Sequence, residues 1–165
     1  MPQQLVLEYA KILIPFIGFA FVIVQLKYLR RTAESNANAK LYDQYLKINE
    51  LFLQKPRLRP YFYDGMPLAE DSHDVQDLDL KGEIHTMCEA IAGVLEHATF
   101  QCVNLPNDPR DNCWKAYMRE RLQKSPLLRQ FLADSQDWYA VEFRSVITEL
   151  GVVLPPPKAG KPPNF

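Results

Sequence analysis

The sequence predicts an all-α protein, in which one N-terminal transmembrane helix continues into a cytosolic four- to five-helix bundle. Two observations support this fold class. Apolar residues recur every three to four positions through most of the chain, and no hairpin signal or sustained apolar–polar alternation interrupts them. An apolar stretch from Leu5 to Leu26 comes first, and as a helix it reaches about 33 Å, enough to cross a hydrocarbon core of about 30 Å.

The centre of this stretch, residues 12–24, contains no charged or hydrogen-bonding side chain, so every helix face is apolar. A buried core helix of a small domain should keep a polar stripe. A cleaved signal peptide should carry more positive charge before the apolar run and a small-residue cleavage site after it. We therefore favour a membrane span over these two alternatives. The predicted span includes Leu5, Ile12, Pro15, Phe19, Val24 and Leu26.

Residues on both sides of the span predict its anchoring and its direction. Tyr9 and Tyr28 lie about 28 Å apart along a helix, which suits one aromatic ring at each membrane interface. Lys27, Arg30 and Arg31 follow the span, whereas the residues before it are few and nearly neutral. The positive-inside rule then predicts that the N-terminus lies outside and that the C-terminal domain is cytoplasmic.

Composition narrows the possible partners. The formal net charge is −1, which argues against a general affinity for nucleic acid. The three cysteines lack the C-x-x-C spacing of a metal or redox motif, and in a cytoplasmic domain they should be reduced. We expect a transmembrane anchor with its basic flank over residues 1–31, a helical cytosolic domain over 32–151 and a Pro-rich extended tail over 152–165.

Glycine and proline are absent from Phe19 to Gln54, so the first helix should continue from the span into the cytoplasm and end by Lys55, before Pro56. The polar stretch 32–39 has weak helix formers, which would allow a bend or fraying there. Further helices are predicted over about 79–103, 109–124, 126–133 and 136–150. The tail should be unpacked unless a partner holds it. An apolar stripe of Leu41, Tyr45, Ile48 and Phe52, widened by Tyr42, Leu46 and Leu53, indicates that the end of the first helix packs against something.

The segment that begins at Lys55 combines basic and aromatic residues. Its bases are Lys55, Arg57 and Arg59, and its tyrosines are Tyr61 and Tyr63. Three interpretations remain open for these side chains: contact with lipid headgroups, contact with an acidic partner, or contact with the acidic residues of the same domain. The internal contact is slightly favoured.

Catalytic chemistry is not indicated. His85, Cys88 and Glu89 share one helix face and are the candidates for a metal site, but Cys88 borders the apolar stripe of its helix. Cys88 or Cys102 beside His85 or His97 lacks the electropositive setting of a nucleophile. No glycine-rich phosphate loop or H-E-x-x-H element occurs. We therefore expect no catalytic residue, no metal, no cofactor and no enzymatic activity.

Four segments carry a resemblance to a known group. Residues 48–63 (INELFLQKPRLRPYFY), 114–118 (WKAYM), 125–132 (SPLLRQFL) and Trp138-Tyr139 resemble a group of uncharacterised bacterial single-pass membrane proteins. The resemblance implies a bacterial inner-membrane protein with an all-helical cytosolic domain, and it implies no activity.

A complete anchor joined to a domain without catalytic motifs predicts a non-catalytic function. We expect an accessory subunit or scaffold that presents its helical domain to a larger membrane assembly. Its partners would be the lipid bilayer and other membrane-protein subunits, reached through the span and the helix that follows it. The alternative is a membrane-anchored sensor or regulator that binds a ligand or signalling partner.

Overall fold

The computed structural model describes residues 2–68, 78–104 and 109–157, and it describes side chains in residues 13–68, 79–101 and 113–157. Six α-helices and no strand occur in these ranges, so the all-α prediction is confirmed. The helices are α1 (Pro2–Gln54), α2 (Arg59–Tyr63), α3 (Leu78–Asn104), α4 (Pro109–Lys124), α5 (Pro126–Asp134) and α6 (Val141–Glu149), with 3-10 turns at Pro56–Leu58 and Gln136–Trp138.

The chain forms two compact units, Met1–Ala39 and Lys40–Phe165. Helix α1 is unbroken through Pro15 and through the polar stretch 32–39, where the weak helix formers would have allowed a bend or fraying. Two polar side chains in this stretch bond to the helix itself. Thr32 donates to the carbonyl of Tyr28 (3.0 Å), and Asn38 donates to the carbonyl of Glu34 (3.0 Å). Both side chains therefore bond to carbonyls one turn earlier in α1 and do not draw the backbone into a non-helical turn.

The core of the second unit is organised by α3, which packs against α4, α5 and α6. Apolar residues recur every three to four positions along this helix, from Leu80 to Cys102. All of them but Cys102, whose side chain lies outside the described residues, are buried: Leu80, Ile84, Met87, Ile91, Leu95 and Ala98. The last turns of α1 contribute Leu41, Ile48 and Phe52 to the same core, while Phe143 of α6 is fully buried in it.

Ser125 sets the start of α5, as the Ser-Pro sequence predicts. Its hydroxyl accepts a hydrogen bond from the backbone N–H of Leu128 (3.2 Å), and Pro126 occupies the first helical position. The same hydroxyl donates to the carbonyl of Tyr61 (2.9 Å). One buried side chain thus caps α5 and joins it to α2.

The last predicted helix begins later than expected. A single helix from Gln136 to Leu150 was predicted, but Tyr139 and Ala140 are extended and separate a 3-10 turn from α6. The carboxylate of Glu96, on α3, accepts a hydrogen bond from the backbone N–H of Ala140 (2.9 Å). This long-range contact stabilises the interruption, and no pattern within residues 136–150 reveals it.

The first residues of the tail differ from the expectation of an unpacked segment. Gly151 adopts a φ of 70° at the end of α6, a conformation that favours glycine. Val152 is then buried, and Leu154 packs against the core. The amide of Gln130 donates to the carbonyl of Pro156 (3.4 Å). The tail beyond residue 157 and residues 69–77 lie outside the described residues.

Candidate functional site

The first candidate is the apolar part of α1. Its large apolar side chains are exposed, from 40 % for Ile23 to 71 % for Phe16. By length and composition, α1 is long and apolar enough to cross a membrane. Exposure of such a continuous apolar surface to water is unfavourable, and about 25 cal/mol is gained for each Å² that a bilayer or partner covers. The side chains of Leu5, Tyr9 and Ile12 lie outside the described residues.

The residues that follow this segment are of the kinds found where a membrane meets water. Tyr28 is 72 % exposed, with Lys27, Arg30 and Arg31 also exposed beside it. Arg30 pairs with Glu34 one turn later (2.9 Å). Charged and aromatic groups of this kind are typical of membrane–water interfaces, where the ring is partly buried and the cations remain solvated.

The second candidate is the segment that follows α1. Lys55 contacts one carboxylate oxygen of Glu83 (3.0 Å), and Arg57 contacts the other through Nη2 (2.8 Å) and Nε (3.2 Å). These hydrogen bonds lower the pKa of the Glu83 carboxyl, and the bond from Lys55 contributes more than the bond from Arg57. Because both cations are about half exposed, the cluster contributes little to stability through charge alone.

A groove of about 480 Å³ lies beside this ionic cluster. Leu51, Leu58 and Met87 supply apolar walls, while Lys55, Arg57, Asp79, Gly82, Glu83 and Thr86 complete the lining. The volume is within the range of small-molecule sites. An anionic ligand here would have to compete with Glu83 for the two cations.

The remaining residues of the basic–aromatic segment face the second unit itself. Tyr61 is buried. The guanidinium carbon of Arg59 lies 5.0 Å from the centre of the Tyr63 ring, and that of Arg121 lies 3.8 Å from it. Burial raises the pKa of the Tyr63 phenol, although both arginines oppose that shift. The phenol donates a weak hydrogen bond to Asn49 (3.4 Å).

Arg121 also lies 5.2 Å from the ring of Tyr117. Its Nε and Nη1 atoms are buried and have no hydrogen-bond partner among the described residues. The faces of the two tyrosine rings attract this cation. Arg121 and Tyr117 share a face of α4 with Trp114, at positions i, i+3 and i+7, and this spacing was the one sequence signal that could have revealed the cluster.

Aromatic rings connect α4 to the end of α1. Trp114 lies 5.4 Å from Tyr42 and 6.3 Å from Tyr45, and Tyr45 lies 5.4 Å from Tyr117. The edge-to-face and tilted arrangements are those that aromatic pairs favour. Trp114 is buried, whereas Tyr42 remains half exposed. This cluster holds one face of the end of α1 against α4. The face beside it, which begins at Tyr42, is exposed to solvent.

His85, Cys88 and Glu89 do not converge on one point. The His85 Nδ1 atom lies 3.6 Å from Glu89, but its ring packs edge-on against Phe131 (5.2 Å). Cys88 is buried, and burial raises the pKa of its thiol to about 12, which disfavours the thiolate that binds metals. Among the residues described by the structure, no group of three or more His, Cys, Asp or Glu side chains could hold a metal ion.

No family model, no curated protein and no solved structure matches this chain. Any assignment of function must therefore rest on the residues and their geometry.

Proposed function

We propose that this protein is a non-catalytic, single-pass accessory subunit or scaffold of a larger membrane protein assembly, with its helical domain as the interaction module. The observation that supports the proposal is the exposed apolar segment of α1, which requires a nonpolar environment. The well-packed second unit provides a stable module for binding other proteins.

The span is oriented with the N-terminus outside and the helical domain in the cytoplasm of a bacterial cell. The basic residues Lys27, Arg30 and Arg31 support this orientation through the positive-inside rule. In this proposal the membrane that α1 crosses is the bacterial inner membrane. Anionic lipid on the cytoplasmic face would attract the same cations.

Native complexes test this function directly. The tagged full chain is extracted from native membranes in a mild detergent, crosslinked and analysed by size and mass spectrometry. We expect a discrete complex that contains at least one further membrane protein in a fixed ratio. A lone monomer, without a partner before or after crosslinking, would contradict an accessory or scaffold function.

The groove beside Glu83 favours a second candidate, a membrane-anchored sensor or regulator for a small anionic ligand. Lys55 and Arg57 would bind the anion, and Leu51 and Met87 would contact its apolar part. A screen of anionic metabolites by thermal shift would identify a ligand whose stabilisation disappears in Arg57→Ala. A screen without any such ligand leaves the scaffold as the better account.

A further inference from the structure

Three apolar side chains on the last turns of α1 are unusually exposed for this unit. Tyr42 is 50 %, Leu46 is 60 % and Leu53 is 81 % exposed, whereas Leu41, Ile48 and Phe52 of the same helix are buried. We call Tyr42, Leu46 and Leu53 the α1 stripe. The sequence pattern alone assigns both sets to one broad apolar face, but only the second set is used by the core.

The three side chains of the α1 stripe lie on one face of the helix, with the half-buried polar side chain of Asn49 between Leu46 and Leu53. At 3.6 residues per turn these three side chains project within about 40° of one another around the helix. Tyr42 is held at one edge by its ring contact with the buried Trp114 (5.4 Å). The helix and this ring are already ordered. Binding of a partner would therefore cost this chain little conformational entropy.

The charges nearest the stripe on α1 are negative. Glu50 and Asp43 project about 60–80° from its centre, whereas Lys47 and Lys40 lie about 120–140° away. Asp43 and Glu50 are exposed, so both carboxylates are available to face a partner. The stripe therefore combines an apolar centre with an acidic edge.

We propose that the α1 stripe binds an amphipathic helix of a partner subunit, with apolar residues at three- to four-residue spacing and Lys or Arg along one edge. An apolar seam with complementary edge charges is how helices select one another. The inference rests on the proposed function, because it identifies where the scaffold would hold its partner.

Two synthetic helical peptides test the edge chemistry. Both carry the same leucine stripe and lactam bridges, but one has lysine and the other glutamate at the edge positions. Each is titrated against the full chain in lipid nanodiscs. We expect the lysine-edged peptide to bind about tenfold more tightly or better. Asp43→Lys combined with Glu50→Lys should reverse that preference.

Neighbouring positions provide a matched control for the apolar part. Leu53→Asp adds a polar group within the stripe, and Gln54→Asn keeps a neutral amide one residue away on the polar face, so no charge is added beside Glu50. Both positions are exposed, so circular dichroism should show the same helix content in each variant. Leu53→Asp should abolish peptide binding, whereas Gln54→Asn should leave it within about twofold.

Three outcomes would overturn the stripe as a helix-binding surface: no binding of either peptide, equal binding of both, or concentration-dependent dimerisation that Leu53→Asp removes. The native complex separates this failure from failure of the proposed function. If the Leu53→Asp chain retains its membrane partners, the stripe inference is wrong and the scaffold function stands. If the unmodified chain is a lone monomer, the scaffold function fails, whatever the peptides show.

Discussion

Two parts of one helix use apolar side chains in opposite ways. In residues 13–26 of α1 the large apolar side chains are exposed on every face, while in residues 41–52 Leu41, Ile48 and Phe52 are buried on one face. The backbone is α-helical in both parts. The distribution of apolar residues around the helix therefore indicates the surroundings: a full apolar circumference suits lipid, and a single stripe suits a protein core.

The first prediction tests the fully apolar part of α1 by adding charge to it. Ile17→Arg combined with Phe19→Arg should prevent stable membrane integration, because each arginine near the centre of a span costs about 2.5–3.5 kcal/mol. The fraction of protein that remains in membranes after alkaline carbonate extraction measures the effect. Val153→Arg, at an exposed position of the second unit, is the control and should stay in the membrane. Unchanged integration of the double variant would argue against a span.

The second prediction tests the buried face. Phe143→Ala, at a fully buried position of α6, should lower the free energy of unfolding by about 3–5 kcal/mol because it leaves a cavity. Val141→Ala, on the exposed side of the same helix, should change it by less than about 0.5 kcal/mol. Urea denaturation of the full chain in detergent micelles gives both values. Equal effects would show that α6 is not packed as described.

The third prediction concerns the polar contact that joins α2 to α5. Ser125→Ala removes the cap of α5 and leaves the Tyr61 carbonyl without the Ser125 hydrogen bond, so unfolding should become easier by about 1–3 kcal/mol. Ser145→Ala, at an exposed position of α6, should have little effect. The same urea titrations distinguish the two, and matching midpoints for Ser125→Ala and the unmodified chain would refute the double role of Ser125.

The smallest expected effect is a dependence of stability on pH. The pKa of Glu83 is lowered in the folded protein, so its contribution is present above the ordinary carboxyl pKa and is lost as pH falls through the lowered value. The stability difference between the unmodified chain and Glu83→Gln should therefore shrink between pH 6 and pH 3. Asp137→Asn, at an exposed carboxyl, serves as the control. If this stability difference grew as the pH fell, the Glu83 carboxylate would not stabilise the fold in the way described.

Local patterns were sufficient to predict much of the fold. The helix of residues 109–124 and the start of α5 follow from Pro109, Ser125 and Pro126, whose effects act within a few residues. The interruption before α6 was missed because its cause, the bond from Ala140 to Glu96, connects positions 44 residues apart. The periodicity of apolar residues predicts which side chains share a helix face, but it does not predict a contact between distant positions.

The candidate surfaces show the same limit. Lys55, Arg57, Arg59, Tyr61 and Tyr63 were identified together as one segment, but their individual environments depend on which other helices lie nearby. Lys55 and Arg57 face a carboxylate on α3, whereas Tyr63 lies against an arginine on α4. Likewise, the separation of the α1 stripe from the buried face required knowledge of where α4 packs.

The central claim is that the apolar part of α1 crosses the membrane, with the helical domain in the cytoplasm. Labelling of a Gln3→Cys chain in spheroplasts with a membrane-impermeant maleimide, followed by peptide mass spectrometry, tests it most directly. The native Cys113, exposed on the helical domain, provides the internal comparison. We predict that the introduced cysteine reacts in intact spheroplasts and that Cys113 reacts only after lysis. Labelling of Cys113 before lysis, with the introduced cysteine protected, would contradict the claim.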